Sequence, residues 1–309
     1  MPELPEVETI RRALRGLHAP QPEGVHSSGV RGVRERAGIT PAAIKIRQPV
    51  VGRRILGAHL YWLRTLAEPT PDEFCDRVRG QTIRNAGRRG KFLLLELDRD
   101  TLLFHLRMSG DLLVEPQGAP ILLHHRLTLD LEGDLRLAFN DPRKFGRAWL
   151  VGDPGRVLEN LGPEPLDEAF TPEELFHRLY MHRRQLKPLL LDQTFLAGLG
   201  NIYSDEALHL AGLHPLAVAN SLDPAQAHRL WGAIRQVLEE GIERQGASID
   251  WVYRGGDFQN YFRVYQRTGE PCLTCGTPIE RIVVGQRGTH FCPECQRLTN
   301  DEQQKTEEP

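Results

Sequence analysis

Cys272-Leu273-Thr274-Cys275, followed after sixteen intervening residues by Cys292-Pro293-Glu294-Cys295, is the stretch that most restricts the fold. Each pair presents two thiolates, and two such pairs together close a tetrahedral Zn²⁺ site. Four thiolates leave no open coordination position, so the predicted zinc ion is structural. Two disulfides are the alternative for the same cysteines, but they require an oxidising compartment. The spacing therefore favours a C-terminal zinc ribbon with one bound ion.

The residues between the two cysteine pairs predict a hairpin. Residues 279–284 read as one strand, 289–291 read as the return strand, and the tip is Gly285-Gln286-Arg287-Gly288. A single arginine between glycines on a narrow hairpin can reach a nucleic-acid groove or a phosphate. On these residues alone, an ordinary exposed arginine is an equal alternative.

Length and composition limit what the rest of the chain can be. With 309 residues, two domains are expected rather than one. The longest apolar runs, such as Phe92-Leu93-Leu94-Leu95, are far shorter than the roughly 20 residues that cross a bilayer. The acidic opening Met1-Pro2-Glu3-Leu4 is not typical of a signal peptide, and five cysteines are too few for a disulfide scaffold. These features predict a cytoplasmic protein without a membrane segment.

Hydrophobic periodicity predicts a first half that is mostly β-structure behind one helix. From Pro5 onward, apolar residues three and four positions apart predict an amphipathic helix. Further along, four apolar or alternating segments predict strands: 92–97, 102–106, 127–131 and 135–139. The last two are separated by Glu132-Gly133-Asp134, which predicts a hairpin turn.

Beyond a turn-rich linker at 152–165, the pattern changes to helix. Capping boxes at Thr171 and Asp223 each predict a helix start. Between them, Gly198-Leu199-Gly200-Asn201 predicts a glycine turn that joins two helices. The second half is therefore expected to be helical to about residue 262.

The net charge of −2 hides an uneven distribution of basic residues. The C-terminal tail is acidic, whereas residues 77–91 contain five arginines and one lysine without any acid. Residues 31–54 contain seven basic residues and one acid, Glu35. Such runs either form a solvated face or bind a polyanion, because neutralising phosphates releases counterions. Composition alone does not decide between the two.

The N-terminus offers a candidate nucleophile. If Met1 is removed, the chain begins with the secondary amine of Pro2, whose ordinary α-amino pKa of about 7.7–8.0 leaves much of it unprotonated near neutrality. Such amines attack electrophilic carbons and form Schiff bases. Glu3 and Glu6 are three residues apart at the helix start, where carboxylates can relay protons or stabilise a cation. The alternative is that proline and glutamate simply favour helix starts.

Several motifs, in order along the chain, resemble those of bacterial formamidopyrimidine-DNA glycosylases. The resemblance covers nearly the whole chain, and agreement of several motifs is far more specific than any one of them. The motifs are Pro2-Glu3-Leu4-Pro5-Glu6-Val7-Glu8-Thr9, Arg88-Arg89-Gly90-Lys91-Phe92, His105-Leu106-Arg107-Met108-Ser109-Gly110, Asn140-Asp141-Pro142-Arg143-Lys144-Phe145-Gly146, Leu161-Gly162-Pro163-Glu164-Pro165, the segment 198–206, Gly269-Glu270-Pro271-Cys272 and the zinc ribbon.

The resemblance implies an α+β multidomain fold. An N-terminal β-sandwich with an N-terminal helix is expected over 1–151, and a helix-two-turn-helix DNA-binding domain over 165–262. The zinc-ribbon finger is expected over 263–297, followed by an acidic tail at 298–309 that is expected to be disordered. The implied partner is double-stranded DNA that contains oxidised bases or abasic sites, bound by a monomer.

The resemblance also implies catalytic roles. Pro2 matches the residue that attacks C1′ of a nucleoside flipped out of the duplex, and Glu3 matches the acid that assists sugar opening. Glu6 occupies a supporting acidic position. Lys91 matches the lysine that holds phosphate and assists β-elimination, and Arg287 matches the arginine that grips phosphate and assists δ-elimination. The four zinc ligands are Cys272, Cys275, Cys292 and Cys295.

DNA contacts are implied at six further positions. Met108, Arg143 and Phe145 match the residues that fill the gap left by the flipped base. Asn201 matches a phosphate contact of the helical motif. His124, Arg143 and the basic run around Arg183 match DNA-contact regions. Without the resemblance, Met108 and Phe145 would be assigned to the core, and Asn201 to a helix cap.

Three segments depart from the family pattern. Residues 19–46 look like an insertion relative to shorter members, residues 247–262 include Trp251–Asp257 where the base-covering loop varies, and the acidic tail extends past the usual end. The resulting hypothesis is a bifunctional glycosylase and abasic-site lyase of base excision repair that acts on oxidised purines. The alternatives are an endonuclease VIII-like enzyme for oxidised pyrimidines and a non-catalytic zinc-ribbon DNA-binding protein.

Overall fold

The computed structural model describes residues 1–17, 48–248 and 256–298. The predicted insertion at 19–46, most of Trp251–Asp257 and nearly all of the acidic tail lie outside these described residues. Within the described ranges, no helix is both long enough and apolar enough to cross a membrane.

The predicted N-terminal helix is present as α1 (Leu4–Leu14), with a proline in its first turn. Proline is tolerated there because the first N–H groups of a helix have no intrahelical partner. Leu4 packs into the core of the helical part of the molecule, whereas Val7, Ile10 and Leu14 pack into the core between the sheets. Helix α1 therefore joins the two cores.

Two antiparallel-rich sheets form the first half of the molecule. A four-stranded sheet has the order β1-β7-β8-β6, and a five-stranded sheet has the order β2-β9-β5-β4-β3 with β2 and β9 parallel. The strands are β1 (Ile55–Leu60), β2 (Leu66–Glu68), β3 (Asn85–Arg89), β4 (Phe92–Glu96), β5 (Thr101–His105), β6 (Asp111–Pro116), β7 (His125–Leu131), β8 (Leu135–Asn140) and β9 (Arg147–Val151). Apolar side chains from both sheets share one core, which confirms the predicted β-sandwich with its N-terminal helix.

The predicted strands and their hairpin turn are found at the expected places. Strands β7 and β8 pair with Leu131 opposite Leu135. Gly133 and Asp134 in the turn have positive φ values of 85° and 57°, as tight hairpin turns require. Helix α2 (Pro71–Val78) and the strands β1, β2, β3, β6 and β9 were not predicted.

The second half is helical, as the change of periodicity predicts. The helices are α3 (Gly155–Leu158), α4 (Pro172–Tyr180), α5 (Leu186–Leu191), α6 (Asn201–Ala211) and α7 (Pro224–Glu243). At Asp223 both halves of the capping box form, whereas at Thr171 the cap is the bond from the Glu174 N–H to the threonine hydroxyl. The expectation of helix up to residue 262 is wrong, because α7 ends at Glu243 and a 3₁₀ turn occupies 258–261.

The C-terminal hairpin consists of β10 (Glu280–Val284) and β11 (Arg287–Phe291). Val284 pairs with Arg287, and Gly285 and Gln286 between them both have positive φ. Arg287 therefore begins the return strand rather than lying at the tip. Val264, Ile279 and two cysteines form a small separate core under this hairpin.

Candidate active site and DNA-facing surface

The four cysteines of the ribbon converge on one point. All four Sγ atoms lie within 4.8 Å of one another. The Sγ atoms of Cys272 and Cys295 are 3.8 Å apart, and those of Cys275 and Cys292 are 3.4 Å apart. Tetrahedral ligands with zinc–sulfur bonds of about 2.3 Å stand about 3.8 Å from one another, so the donor set fits one structural Zn²⁺.

A cavity of about 320 Å³ lies where α1, the sheets, the helices and the ribbon hairpin meet. It brings together seven of the residues singled out from the sequence. They are Pro2, Glu3, Glu6, Lys91, Met108, Asn201 and Arg287. Because these residues come from five separate segments of the chain, their convergence identifies the cavity as the candidate active site.

The N-terminus of α6 fixes the carboxylate of Glu3. The backbone N–H groups of Gly200 and Ile202 donate to its two oxygens at 2.7 and 3.0 Å, and the Tyr203 N–H is 3.4 Å away. A carboxylate is favoured at this end of a helix, where the N–H groups are free and the dipole is positive. A Cβ atom at Gly200 would lie 2.3 Å from the Glu3 carboxyl carbon. Glycine at this position therefore allows the close approach.

The buried carboxylate of Glu6 holds the backbone of Glu3 in place. Its carboxylate accepts the Glu3 N–H at 2.7 Å, the Ala247 N–H at 2.7 Å and the Tyr203 hydroxyl at 2.9 Å. Burial, together with the neighbouring charge of Glu3, raises the pKa of Glu6, although these hydrogen bonds oppose the rise. Through these bonds, Glu6 connects the start of α1 to the residues that follow α7. The predicted nucleophile Pro2 is thereby held next to the helical half of the molecule.

Lys91 reaches the cavity from the turn between β3 and β4. The turn is held by Glu164, whose carboxylate accepts the Gly90 N–H and pairs with Arg88 and Arg89. Burial lowers the pKa of Lys91, and the positive charges of Arg287 and Lys187 lower it further, against the opposing effect of Glu3 and Glu6. A lysine in this setting loses its proton more readily than an exposed one.

Most of the basic run at 77–91 is not free to bind a polyanion. Arg77 pairs with Asp100 and Arg84 pairs with Asp98, each at 2.6 Å. Arg88 and Arg89 pair with Glu164, as described above. Within this run, four of the five arginines pair with carboxylates of the fold, and Lys91 lies at the cavity. Most of the second basic run, 31–54, lies outside the described residues.

Asn201 and a buried ion-pair network join the helices to the ribbon hairpin. The Asn201 Nδ2 atom donates to the Gly288 carbonyl at 3.0 Å. Asp205 accepts from Lys187 Nζ at 2.5 Å and from the His290 N–H at 2.9 Å. Lys187 and Asp205 are fully buried, and burial lowers the pKa of the lysine despite the ion pair. These contacts set the start of β11, and with it Arg287, against α6.

Arg143 and Phe145 lie on a loop outside the cavity. Asp141 organises this loop by accepting the Ser109 hydroxyl, the Arg143 N–H and the Gly146 N–H. The bond from Ser109 also ties the loop to the Met108 turn. The Arg143 guanidinium lies 5.2 Å from the Phe145 ring centre, and half of the Phe145 side-chain surface is exposed.

Two other predicted DNA contacts do not line the cavity. His124 lies at the entry to β7, and its carbonyl accepts the Asp141 N–H at 2.8 Å. It therefore neighbours the loop of Arg143. Arg183 is exposed in the connection between α4 and α5.

Sequence reasoning missed His105, although it lies in a quoted motif. His105 is buried at the end of β5, opposite Phe92 and next to Lys91. Burial and the positive charges of Arg107 and Lys91 lower its pKa to about 3. The Arg107 N–H donates to Nδ1 at 3.0 Å, so the neutral ring carries its proton on Nε2. Tyr265 and Gln266 also line the cavity, although no sequence motif indicated them.

The fold and the site define a zinc-containing glycosylase of DNA repair. Three family models match in order: the formamidopyrimidine-DNA glycosylase N-terminal domain over 35–148, its H2TH domain over 161–252 and the zinc finger found in FPG and IleRS over 269–298. The chain belongs to the formamidopyrimidine-DNA glycosylase family, which confirms the resemblance drawn from its motifs.

Individual relatives match over almost the full length. The formamidopyrimidine-DNA glycosylase of Chloroflexus aurantiacus is 45% identical, with 96% of this chain and 98% of the relative covered. That of Herpetosiphon aurantiacus is 41% identical, with 96% and 100% covered. Among solved structures, Lactococcus lactis Fpg in complex with a Fapy-dG containing DNA and in complex with an abasic-site containing DNA both give a TM-score of 0.81 at 34% identity. Each comparison covers 96% of this chain and 100% of that chain.

Proposed function

We propose that this protein is a bifunctional DNA glycosylase and abasic-site lyase that removes oxidised purines, chiefly 8-oxoguanine and formamidopyrimidines, from double-stranded DNA. The observation that carries the proposal is the convergence of Pro2, Glu3, Lys91 and Arg287 on one cavity. A non-catalytic DNA-binding protein would need neither a proline at the chain start nor a carboxylate clamped beside it.

The first chemical step is attack by the Pro2 nitrogen on C1′ of the flipped nucleoside. The N–C1′ bond forms as the C1′–base bond breaks, the base leaves with the bonding electron pair and takes up a proton, and the Pro2 nitrogen loses its own proton. Protonation of the ring oxygen O4′ then breaks the C1′–O4′ bond and gives an iminium ion, the protonated Schiff base, between Pro2 and C1′. Glu3 lies next to this nitrogen and assists ring opening. Its Oε2 atom accepts from Gly200 and Tyr203, whereas Oε1 accepts from Ile202 alone and has a second lone pair besides the one that this bond uses.

Lys91 and Arg287 serve the later steps. Removal of a C2′ proton from the imine allows the C3′–oxygen bond to break, and a second elimination breaks the C5′–oxygen bond. Lys91 has a lowered pKa, which favours a neutral amine that accepts a proton, and its charged form binds phosphate. The planar guanidinium of Arg287 offers several donors to a phosphate from the ribbon side.

Met108, Arg143 and Phe145 fill the space that the extruded base leaves. Their two loops are joined through Ser109 and Asp141, so they can enter the duplex together. Apolar side chains inserted between bases offset lost stacking, which costs a few kcal/mol for each unstacked step. Contacts of Asn201, His124 and Arg183 with phosphates complete the proposed interface.

The base opposite the lesion provides a test. Cytosine offers two acceptors on its Watson–Crick edge, which suit a guanidinium, whereas adenine offers a donor beside one acceptor. One good bidentate contact discriminates by about 1–3 kcal/mol, so we expect excision of 8-oxoguanine about fivefold to a hundredfold faster opposite cytosine than opposite adenine. Arg143→Ala should slow excision and flatten this preference, as measured by single-turnover kinetics on both duplexes.

The same assay separates the alternatives. An unchanged cytosine-to-adenine ratio in Arg143→Ala would remove Arg143 from this role. Faster excision of an oxidised pyrimidine than of 8-oxoguanine would favour the endonuclease VIII-like reaction. Binding of the lesion duplex without release of any base would favour the non-catalytic alternative.

A further inference from the structure

We infer that Arg126 is a positioning residue that locks the His124 loop and the Arg143–Phe145 loop into one rigid DNA-facing unit, and so determines how well the enzyme recognises the base opposite the lesion. This inference rests on the proposed function. It begins from an arginine near the start of β7 that is only 7% exposed and that none of the predicted roles uses.

The guanidinium of Arg126 bonds to both loops at once. Its Nε atom donates to the Asp141 carbonyl at 2.7 Å, and Nη2 donates to the Pro142 carbonyl at 3.4 Å. On the other side, Nη1 donates to the Leu123 carbonyl at 3.2 Å. Three backbone carbonyls from two separate loops therefore share one rigid, planar group. Lysine, with a compact ammonium, cannot reproduce this fork.

Arg126 also orients the imidazole of His124. Its Nη2 atom lies 3.4 Å from His124 Nδ1. An arginine only donates, so the histidine nitrogen accepts, and the neutral ring carries its proton on Nε2. The Nε2–H group then points away from Arg126 as a donor. This is the form that a phosphate oxygen would bind.

The backbone of Arg126 holds a third segment. Its carbonyl accepts the N–H groups of Tyr61 and Trp62 at 2.9 and 3.2 Å. The Trp62 ring in turn receives the Lys144 ammonium, 4.1 Å from the ring centre. Lys144 lies between Arg143 and Phe145, so the segment after β1 supports the same loop from its other side.

The hydrogen bond from Ser109 to Asp141 attaches the Arg143–Phe145 loop to the Met108 turn. Arg126 holds the same loop beside the His124 loop. Without the Arg126 side chain, the Leu123 and Pro142 carbonyls lose this donor. The two loops then keep the backbone bond from the Asp141 N–H to the His124 carbonyl, but they lose the group that holds the Arg143 side of the loop against it. Because a misplacement of about 1 Å can cost on the order of a hundredfold in rate, a small shift of Arg143 is sufficient to matter.

Arg136→Met is the matched control for Arg126→Met. Arg136 is 8% exposed and also donates to backbone carbonyls, those of Gln117 and Ala119, but it lies at the opposite end of β8 from Asn140. Hydrogen exchange of the free protein is the first measurement. We expect faster exchange in Arg126→Met at both 122–124 and 141–145, and unchanged exchange at these positions in Arg136→Met.

The second measurement is single-turnover excision of 8-oxoguanine opposite cytosine and opposite adenine. Arg126→Met should slow excision opposite cytosine by tenfold to about a hundredfold and lower the cytosine-to-adenine ratio. In Arg126→Lys, both the rate and the ratio should lie between those of Arg126→Met and those of the wild type. Borohydride trapping on a single-stranded oligonucleotide with a preformed abasic site should fall less than excision from the duplex, since it involves no opposite base and depends only on the phosphate contact of His124.

The outcomes distinguish the inference from the function on which it rests. A wild-type protein that excises nothing and traps no abasic DNA would refute the proposed function. The exchange measurement would still test whether Arg126 holds the two loops together. Unchanged exchange in Arg126→Met, or an unchanged cytosine-to-adenine ratio, would overturn the inference. An equal loss in Arg136→Met would also overturn it.

Discussion

At the scale of single residues, Gly200 controls the position of the Glu3 carboxylate, to which we assign the catalytic role. A Cβ atom at this position would lie 2.3 Å from the Glu3 carboxyl carbon and 2.5 Å from one of its oxygens. The Glu3 carboxylate cannot easily move away from such a Cβ atom, because the Glu3 N–H is bound by Glu6 and the carboxylate oxygens are bound by the N–H groups of α6. The site thus depends on a residue that carries no side chain.

We therefore expect Gly200→Ala to displace Glu3 and to slow base excision by tenfold to about a hundredfold in single-turnover assays. Gly232→Ala is the control, because a Cβ atom there meets nothing within 4 Å and alanine favours the interior of α7 by about 0.5–1 kcal/mol. The control should keep full activity with a slightly higher unfolding temperature. Normal excision by Gly200→Ala would show that Glu3 does not need this geometry.

The sequence identified half of the residues that line the cavity, but not their partners. Pro2, Glu3 and Lys91 stood in recognisable motifs, and the structure places them together. The bracing of Arg88 and Arg89 by Glu164 could not be predicted, since the partners are more than 70 positions apart. His105 was not predicted as a site residue, because the neighbouring sequence does not distinguish a histidine buried beside Lys91 from an ordinary strand residue.

At the scale of elements, the ribbon hairpin depends on its metal site for the placement of Arg287. Structural zinc contributes about 10–16 kcal/mol to folding in isolated zinc-finger peptides, and the small core here contains few apolar residues. The hairpin is also attached to the rest of the molecule by the bond from Asn201 to Gly288, by two contacts between Asp205 and His290, and by packing of the Phe291 ring against His214.

Cys275→Ser should therefore lose zinc, open the hairpin and weaken DNA binding, while the sandwich and helices stay folded. Metal analysis, circular dichroism and fluorescence anisotropy with a lesion duplex measure the three effects. Cys75→Ser is the control, since this half-buried cysteine lies in α2, far from the ribbon in sequence. Undiminished DNA affinity in a zinc-free Cys275→Ser protein would separate the ribbon from DNA binding.

Strand β5 carries a pH dependence of stability through His105. The folded pKa is about 3, against about 6.5 for an unfolded histidine, so between these values only the unfolded chain binds the proton. Stability is therefore lost as the pH falls from about 6.5 to about 3. At about 1.4 kcal/mol per pKa unit, the effect is on the order of a few kcal/mol.

His105→Gln should make this acid-side loss of stability smaller. Urea unfolding at pH 7, 5 and 4 measures it, with His228→Gln as the control because His228 is exposed on α7. His125 and His209, whose pKa values are lowered to about 4 mainly by burial, keep a residual slope in the same direction. Identical slopes in wild type and His105→Gln would contradict the buried, neutral state of this ring.

Elements were predictable where their periodicity was strong. The apolar runs of β4 and β5, the β7–β8 hairpin and the α7 capping box all lie where the pattern places them. Strand β3 was not predicted because its polar sequence with one glycine and two arginines resembles a loop, whereas β9 is a short apolar segment. Both strands are fixed by pairing with neighbours in the sheet. The sequence predicts that the helix after Asp223 stops near Gly246, and α7 ends at Glu243, three residues before Gly246 adopts a positive φ of 82°.

At the scale of the whole molecule, the active site belongs to no single part. The sandwich supplies Lys91 and Met108, the helical part supplies the N-terminus of α6, and the ribbon supplies Arg287. Helix α1 lies between the two large cores and carries the chain start into this junction. The motifs predicted each part, but their meeting depends on long-range packing that no local pattern contains.

The most direct measurement of the central claim is borohydride trapping during reaction with an oligonucleotide containing 8-oxoguanine, followed by peptide mapping of the cross-link. We expect one covalent complex, joined through Pro2, because imine formation needs a free terminal amine in the cavity. Retention of Met1 or an added N-terminal tag should abolish the complex. A cross-link at Lys91, with Pro2 unmodified, would contradict the proposed mechanism.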